Sequence, residues 1–171
     1  MKHLVMPSQT VGPFPHEAWR WTTELNATPA AKDEKPLVLA GLVFDGAGEP
    51  VSDAWLEFWS PNAAKAEGER LIPGFRRVPS GPDGGFRIEL SPPSALVESP
   101  IYVTFFSRGL LVHLYTAVFL EDAPGLQRSA LLQQVPADRR ATLLARRRAD
   151  GAYSWNVQLQ GEQETVFFDY S

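Results

Sequence analysis

The stretch Tyr153-Ser154-Trp155-Asn156-Val157-Gln158-Leu159-Gln160 carries an apolar side chain at every second position and a polar one between. Side chains of a strand alternate between its faces, so this is the pattern of a β-strand with one face in a core and the other in water. Outward from it, the same β-branched and aromatic character recurs at Leu37 to Phe44, Ala54 to Trp59, Gly85 to Leu90, Ile101 to Ser107, Val112 to Leu120 and Thr165 to Asp169. Prolines (15) and glycines (13), spread along the chain, keep these pieces short. Asp45-Gly46-Ala47-Gly48 and Pro82-Asp83-Gly84-Gly85 supply turn chemistry and read as hairpin loops. The expected fold is all-β, a two-sheet β-sandwich.

One segment departs from the strand pattern. From Asp138 to Arg148 no glycine or proline intervenes, and Asp138 stands where it can cap free amides behind Pro136, so a short inserted helix is expected there. On that helix Leu143 and Leu144 fall among Arg139, Arg140, Arg146, Arg147 and Arg148, while Ala141, Thr142 and Ala145 form a small-residue side suited to packing on another surface. Residues 1 to 36 show no sustained periodicity and contain Pro7, Pro13, Pro15, Pro29 and Pro36, as an extended N-terminal arm would. A length of 171 residues fits a single domain, 1–171, that includes this arm.

Composition removes whole classes of function. Lys plus Arg number 16 against 20 Asp plus Glu, a net charge of −4 that gives no general attraction to nucleic acid or anionic membranes. The run Leu110 to Leu120 is interrupted by His113, Tyr115 and Thr116, too short and too polar to span a bilayer. The apolar stretch before Pro7 is too short for a signal peptide, and with no cysteine the chain reads as cytoplasmic. There is no Gly-rich phosphate loop, no GxSxG elbow, no HExxH and no kinase signature. Of the 3 histidines, His113 lies two positions from Tyr115 on an expected strand. The two side chains share a face, where they either satisfy each other or join in holding a ferric ion.

Four segments taken together carry a resemblance: Ser8-Gln9-Thr10-Val11-Gly12-Pro13-Phe14, the stretch Gly41 to Asn62 (GLVFDGAGEPVSDAWLEFWSPN), Phe106-Ser107-Arg108-Gly109 with the HLYT that follows, and Gln160 to Tyr170 (QGEQETVFFDY). The chain resembles the α subunits of the protocatechuate 3,4-dioxygenases, within the intradiol ring-cleaving family that uses a non-haem ferric centre. The second segment alone also looks like transthyretin-like modules, which leaves a non-enzymatic β-sandwich binding module as the alternative.

The resemblance implies that this chain does not hold the iron. Catalytic members use two tyrosines and an H-x-H histidine pair; the matching strand positions here are Pro100 and Tyr102, and no tyrosine precedes Tyr102. Proline offers no side-chain donor. The ferric iron is then expected on a partner β subunit in a hetero-oligomer, with a small aromatic substrate, 3,4-dihydroxybenzoate, and O₂ entering a pocket between the subunits. The product is 3-carboxy-cis,cis-muconate. The arm motif places Thr10, Gly12 and Pro13 against that pocket, with Phe14 where relatives usually carry tyrosine. Arg108 matches the arginine that meets the substrate carboxylate, a role suited to a planar, permanently charged fork. Without the motif, Arg108 reads as a surface ion pair after a strand.

Overall fold

The computed structural model describes Trp21, Thr23, Glu67 and residues 35–61, 70–91 and 100–170; the rest of the expected arm lies outside the described residues. The chain runs through β1 (Leu37–Phe44), β2 (Trp55–Trp59), β3 (Phe75–Pro79), β4 (Gly85–Leu90), β5 (Ile101–Phe106) and β6 (Leu114–Leu120). A 3-10 turn (Leu126–Arg128), the helix α1 (Ala130–Gln134) and a further 3-10 turn (Arg140–Leu143) lead to β7 (Leu144–Arg147), β8 (Tyr153–Ser154) and β9 (Val157–Gln158). No helix among the described residues is long and apolar enough to cross a membrane.

The strands hydrogen-bond in one continuous order, β3-β2-β5-β6-β7-β8-β1-β4, with β9 also on β1. β6 and β7 meet in parallel through Phe119 opposite Leu144 and Leu120 opposite Ala145, and there the sheet folds over on itself. Phe58 of β2 packs on Phe86 of β4 with ring centroids 5.8 Å apart. Around them Leu56, Val103, Phe105 and Val118 from one layer meet Leu39, Val43, Ile88 and Trp155 from the other in a single buried cluster. This is the expected β-sandwich. Alternation explains each layer: on β4, Phe86, Ile88 and Leu90 are buried while Arg87 and Glu89 are exposed.

The Tyr153–Gln160 stretch keeps its alternation but not its continuity. Tyr153, Trp155 and Val157 are buried, yet pairing is interrupted between β8 and β9, with the register on β1 unchanged from Leu39 opposite Tyr153 to Val43 opposite Val157. At the interruption the Trp155 amide donates to the Ala40 carbonyl at 2.9 Å, and the Leu42 amide donates to the Asn156 side-chain oxygen at 3.0 Å. The approach is so close that a Cβ on Gly41 would stand 1.6 Å from the Trp155 carbonyl oxygen.

Other sequence expectations need correction. The stretch Asp138 to Arg148 is not a helix: it is a 3-10 turn followed by β7, and Asp138 caps nothing there. Pairing with β6 and β8 outweighs the helical propensity, because Ala145 is fully buried between layers while Arg146 and Arg147 face solvent. The short helix lies earlier, at α1, where Ser129 Oγ accepts from the Leu132 amide at 3.3 Å. The turns at Asp45–Gly48 and Pro82–Gly85 form as read, with Asp45 Oδ1 accepting from the Ala47 and Glu49 amides and Asp83 Oδ1 from Gly85. The first closes a local antiparallel bridge, Phe44 opposite Pro50, but neither joins two neighbouring strands of the sheet. β1 pairs with β4 and β3 with β2, so each turn carries the chain from one layer to the other. Thr165–Asp169 makes only the isolated bridge of Phe168 to Tyr115 and runs as an irregular segment beside β6.

The end strands of the path, β3 and β4, are tied by a buried ion pair. Arg76 points inward from β3, donates from Nε to the Glu89 carbonyl of β4 at 2.9 Å, and forks onto Glu67 through Nη1 at 3.1 Å and Nη2 at 2.5 Å. The Ser91 hydroxyl at 2.5 Å and the Gly74 amide at 2.6 Å also donate to Glu67. Both side chains are almost sealed, at 2% and 3% exposure. Burial by itself would raise the Glu67 pKa, but the bonds from Arg76, Ser91 and Gly74 outweigh it and hold the carboxyl at about 2. At the other end of the layers, Ala117 and Phe119 of β6 turn outward and are covered by Leu126, Leu132, Val135 and Leu143. That cover stops short of Tyr115, which is exposed.

Two outcomes follow for stability. Since the folded pKa of Glu67 lies below its ordinary value of 4.5, its contribution is present above that pH and lost as pH falls toward about 2. Urea unfolding of the wild type should weaken across this window, whereas Glu67→Gln, destabilised by about 3–5 kcal/mol at neutral pH through its unpaired buried arginine, should lose less there; parallel curves would remove the pair from this role. Gly41→Ala should cost about 1–3 kcal/mol through overpacking, read as a lower unfolding midpoint at unchanged denaturant slope.

Candidate functional site

The open part of the molecule is the outer face of β2, β5 and β6, together with the loop Ser107–His113. Register fixes what stands there. Trp59 is opposite Tyr102, Glu57 is opposite Thr104, and Thr104 is opposite Tyr115. Alternation turns this set away from the core, and the Trp59 and Tyr102 rings stack at 5.9 Å. Arg77 of β3 donates from Nε to Glu57 Oε1 at 2.7 Å, so the carboxylate on this face is neutralised in place. A cavity of ≈ 300 Å³ opens among Glu57, Trp59, Tyr102, Thr104, Tyr115 and Tyr170. A neighbouring hollow of ≈ 540 Å³ shares Tyr115 and Tyr170 and adds His113 and Phe168.

His113 and Tyr115 are on one face, as their spacing requires, and they satisfy each other. His113 Nε2 and the Tyr115 hydroxyl lie 2.5 Å apart, with the rings edge to face at 4.6 Å. Phe106 at 5.5 Å flanks the imidazole, and Tyr170 at 5.4 Å flanks the phenol. A ferric ion needs converging donors with free lone pairs, and here the imidazole and phenol are bonded together. Pro100 is buried and has no donor to give. Among the described residues, no group of three or more His, Asp or Glu could hold a metal ion. The residues present on this face do not fit a ferric centre.

Arg108 sits at the rim of the same sheet. Extending the antiparallel register that pairs Trp55 with Phe106 by two residues sets Asp53 opposite Arg108, and the side chains meet with Arg108 Nε 2.9 Å from Asp53 Oδ2. The Ser107 hydroxyl donates to the other carboxylate oxygen, Asp53 Oδ1, at 3.2 Å. Gly109, at φ 92°, makes the backward turn that a side chain would resist, and the Leu110 amide closes it on the Ser107 carbonyl at 3.3 Å. The tip beyond carries Leu111 and Val112, both exposed. Thr10, Gly12 and Pro13, the other expected substrate-binding residues, lie outside the described residues, as does Phe14. Asp53 and Ser107 were missed as site residues, although both stand inside the quoted sequence motifs. Only the register reveals that they converge on Arg108.

What this face offers chemically is recognition: aromatic walls, and a guanidinium at the rim. Comparison with known proteins gives that geometry a lineage. No protein-family profile matches the chain. The chain is 37% identical over 190 residues to the protocatechuate 3,4-dioxygenase alpha chain of Burkholderia cepacia, covering 95% of this chain and 96% of that one. It is 31% identical to the protein of the same name from Pseudomonas putida, over 96% of each. Among solved structures, the dioxygenase domain of a dioxygenase–carbohydrate-binding fusion from Streptomyces sp. SirexAA-E has the same fold, with TM-score 0.58 and 21% identity over 81% of this chain and 86% of that one. The sandwich and the end-to-end likeness agree, and the chain belongs to the protocatechuate 3,4-dioxygenase alpha-chain family of intradiol dioxygenases.

Proposed function

We propose that this chain is the non-iron-binding alpha subunit of a protocatechuate 3,4-dioxygenase. It works as one domain over residues 1–171, in the cytoplasm and in a hetero-oligomer with an iron-bearing beta subunit. The assembled enzyme cleaves 3,4-dihydroxybenzoate between its hydroxyls with O₂ to give 3-carboxy-cis,cis-muconate. The observation that carries this reading is likeness to alpha chains over nearly the complete length of both partners, 95% and 96%. The chemistry of the face agrees with it: Pro100 has no donor, and His113 is bonded to Tyr115. A free-standing dioxygenase would need ligands that the described face lacks, and a transthyretin-like binding module would not share this lineage.

In this reading the ferric iron and the oxygen chemistry belong to the beta subunit. The alpha chain shapes and charges the pocket. Arg108, 67% exposed after β5, presents a planar cation to the substrate carboxylate, and Thr10, Gly12 and Pro13 of the arm are the further residues assigned to the pocket by resemblance. Glycine permits close backbone approach, and proline stiffens the arm.

Two measurements test this. Iron held by tyrosinate absorbs visible light, so the folded chain purified alone should be colourless and contain no stoichiometric iron. A visible charge-transfer band would return His113 and Tyr115 to the metal. In the assembled enzyme, Arg108→Ala should remove a charge-assisted contact worth about 1.5–3 kcal/mol, which is roughly a 10- to 150-fold loss in kcat/KM for the carboxylated substrate. Plain catechol has no carboxylate, and its turnover should change much less. Equal losses for both substrates would assign Arg108 to folding or assembly.

A further inference from the structure

Arg108 is tied to the sheet through Asp53. The nearest contact is made by Nε, 2.9 Å from Asp53 Oδ2. Asp53 is held in turn, because its other oxygen accepts from the Ser107 hydroxyl at 3.2 Å. Exposure follows the same gradient: Ser107 is buried, Asp53 has 24% of its side chain exposed, and Arg108 has 67%. The chain of contacts therefore starts in the sandwich and ends with a largely exposed arginine.

A free arginine samples many rotamers, and a planar fork recognises a carboxylate only in one orientation. Fixing the Nε edge leaves the two terminal amino groups side by side, which is the pair that a bidentate carboxylate needs. Backbone geometry supports the same arrangement, since the β2–β5 register sets Asp53 across from Arg108 and Gly109 turns the chain away immediately after it.

We propose that Asp53, anchored by Ser107, is the positioning residue that aims the Arg108 fork at the substrate carboxylate, and so helps set the preference for carboxylated over plain catechols. This rests on the assignment of Arg108 to that carboxylate. Asp53 does not touch the substrate; it acts through the arginine. A carboxylate this close has a second possible consequence of opposite sign, in which Asp53 competes with the substrate for the cation. The nearest contact falls on Nε rather than on a terminal nitrogen, and Asp53 is itself held by Ser107, which favours positioning.

The test uses the assembled enzyme, with iron content and assembly size confirmed for each variant. Asp53→Ala should lower kcat/KM for 3,4-dihydroxybenzoate by about 3- to 10-fold, mostly through KM, a smaller loss than Arg108→Ala because the cation remains. Asp53→Asn keeps an acceptor for Nε and should retain at least half of the wild-type value. Catechol turnover should be unchanged in both. In an Arg108→Ala background, Asp53→Ala should add nothing, as expected for a residue acting only through the arginine. If Asp53→Ala does not assemble, Ser107→Ala releases the same carboxylate and should reproduce the loss in weaker form. A gain in kcat/KM on removing Asp53, an equal loss with catechol, or a loss that persists without Arg108 overturns the positioning role. If Arg108→Ala shows the carboxylate-specific loss while Asp53→Ala and Ser107→Ala are silent, only the positioning role falls. If Arg108→Ala shows no such loss, the underlying assignment falls and the positioning role with it.

Discussion

The buried pair of Glu67 and Arg76 is the constraint on which the sandwich depends. A sheet folded over at one junction, here β6 against β7, leaves its two end strands facing each other, joined by the short turn of residues 80–84 but by no strand pairing. Arg76 spans that gap, reaching from β3 to the Glu89 carbonyl on β4 while Glu67 neutralises it from the side. Isolated, a buried charge pair is a poor stabiliser, because desolvation of both ions offsets their attraction. This one is better placed than most. The carboxylate accepts from Arg76, Ser91 and Gly74, and the guanidinium also donates to the Phe75 carbonyl at 2.7 Å, so few polar atoms of the pair go unsatisfied. Its contribution is also to specificity: an apolar residue at position 76 would let β3 slip, whereas this fork fits one register.

The same pair explains why β3 was invisible in the sequence. Strand reading relies on apolar residues recurring on one face, and β3 places arginine on both faces, Arg76 inward and Arg77 outward. The inward arginine is intelligible only with Glu67, nine residues away and on no regular element. β1 and β4 lie at the other extreme. Their bounds coincide with the expected Leu37 to Phe44 and Gly85 to Leu90, because β1 is an apolar run that stops at the Asp45–Gly48 turn and β4 alternates without a break from the Pro82–Gly85 turn onward. β7 failed for a third reason. Leu144–Arg147 is a strand only because β6 and β8 each lend it residue pairs, and local propensity contains nothing of those partners.

Legibility of the site follows the same division. The type of residue at 100, 102, 108, 113 and 115 could be read directly, and from it the lack of an H-x-H pair. What could not be read is pairing. His113 with Tyr115 is a local contact that spacing anticipates, and the two are indeed bonded. Arg108 with Asp53 is a contact across 55 positions of sequence, created by the β2–β5 register. Sequence reading thus offered a choice for Arg108 between an ion pair and a substrate contact. The ion pair is present, nearest at Nε, and the arginine side chain nevertheless stays 67% exposed.

The groups on this face are held by contacts within the chain. Pro100, buried next to β5, has no N–H to leave unpaired. His113 and Tyr115 bond to each other, so neither polar tip requires an ion. Glu57 is neutralised by Arg77, and Trp59 stacks on Tyr102. Each of these contacts closes locally, within one sheet face, and none depends on a group from outside the chain. Arg108 ends the series differently, tied to Asp53 nearest its Nε while its side chain stays 67% exposed. An exposed cation held by an anchored carboxylate loses less side-chain freedom on meeting an anion than a free arginine would.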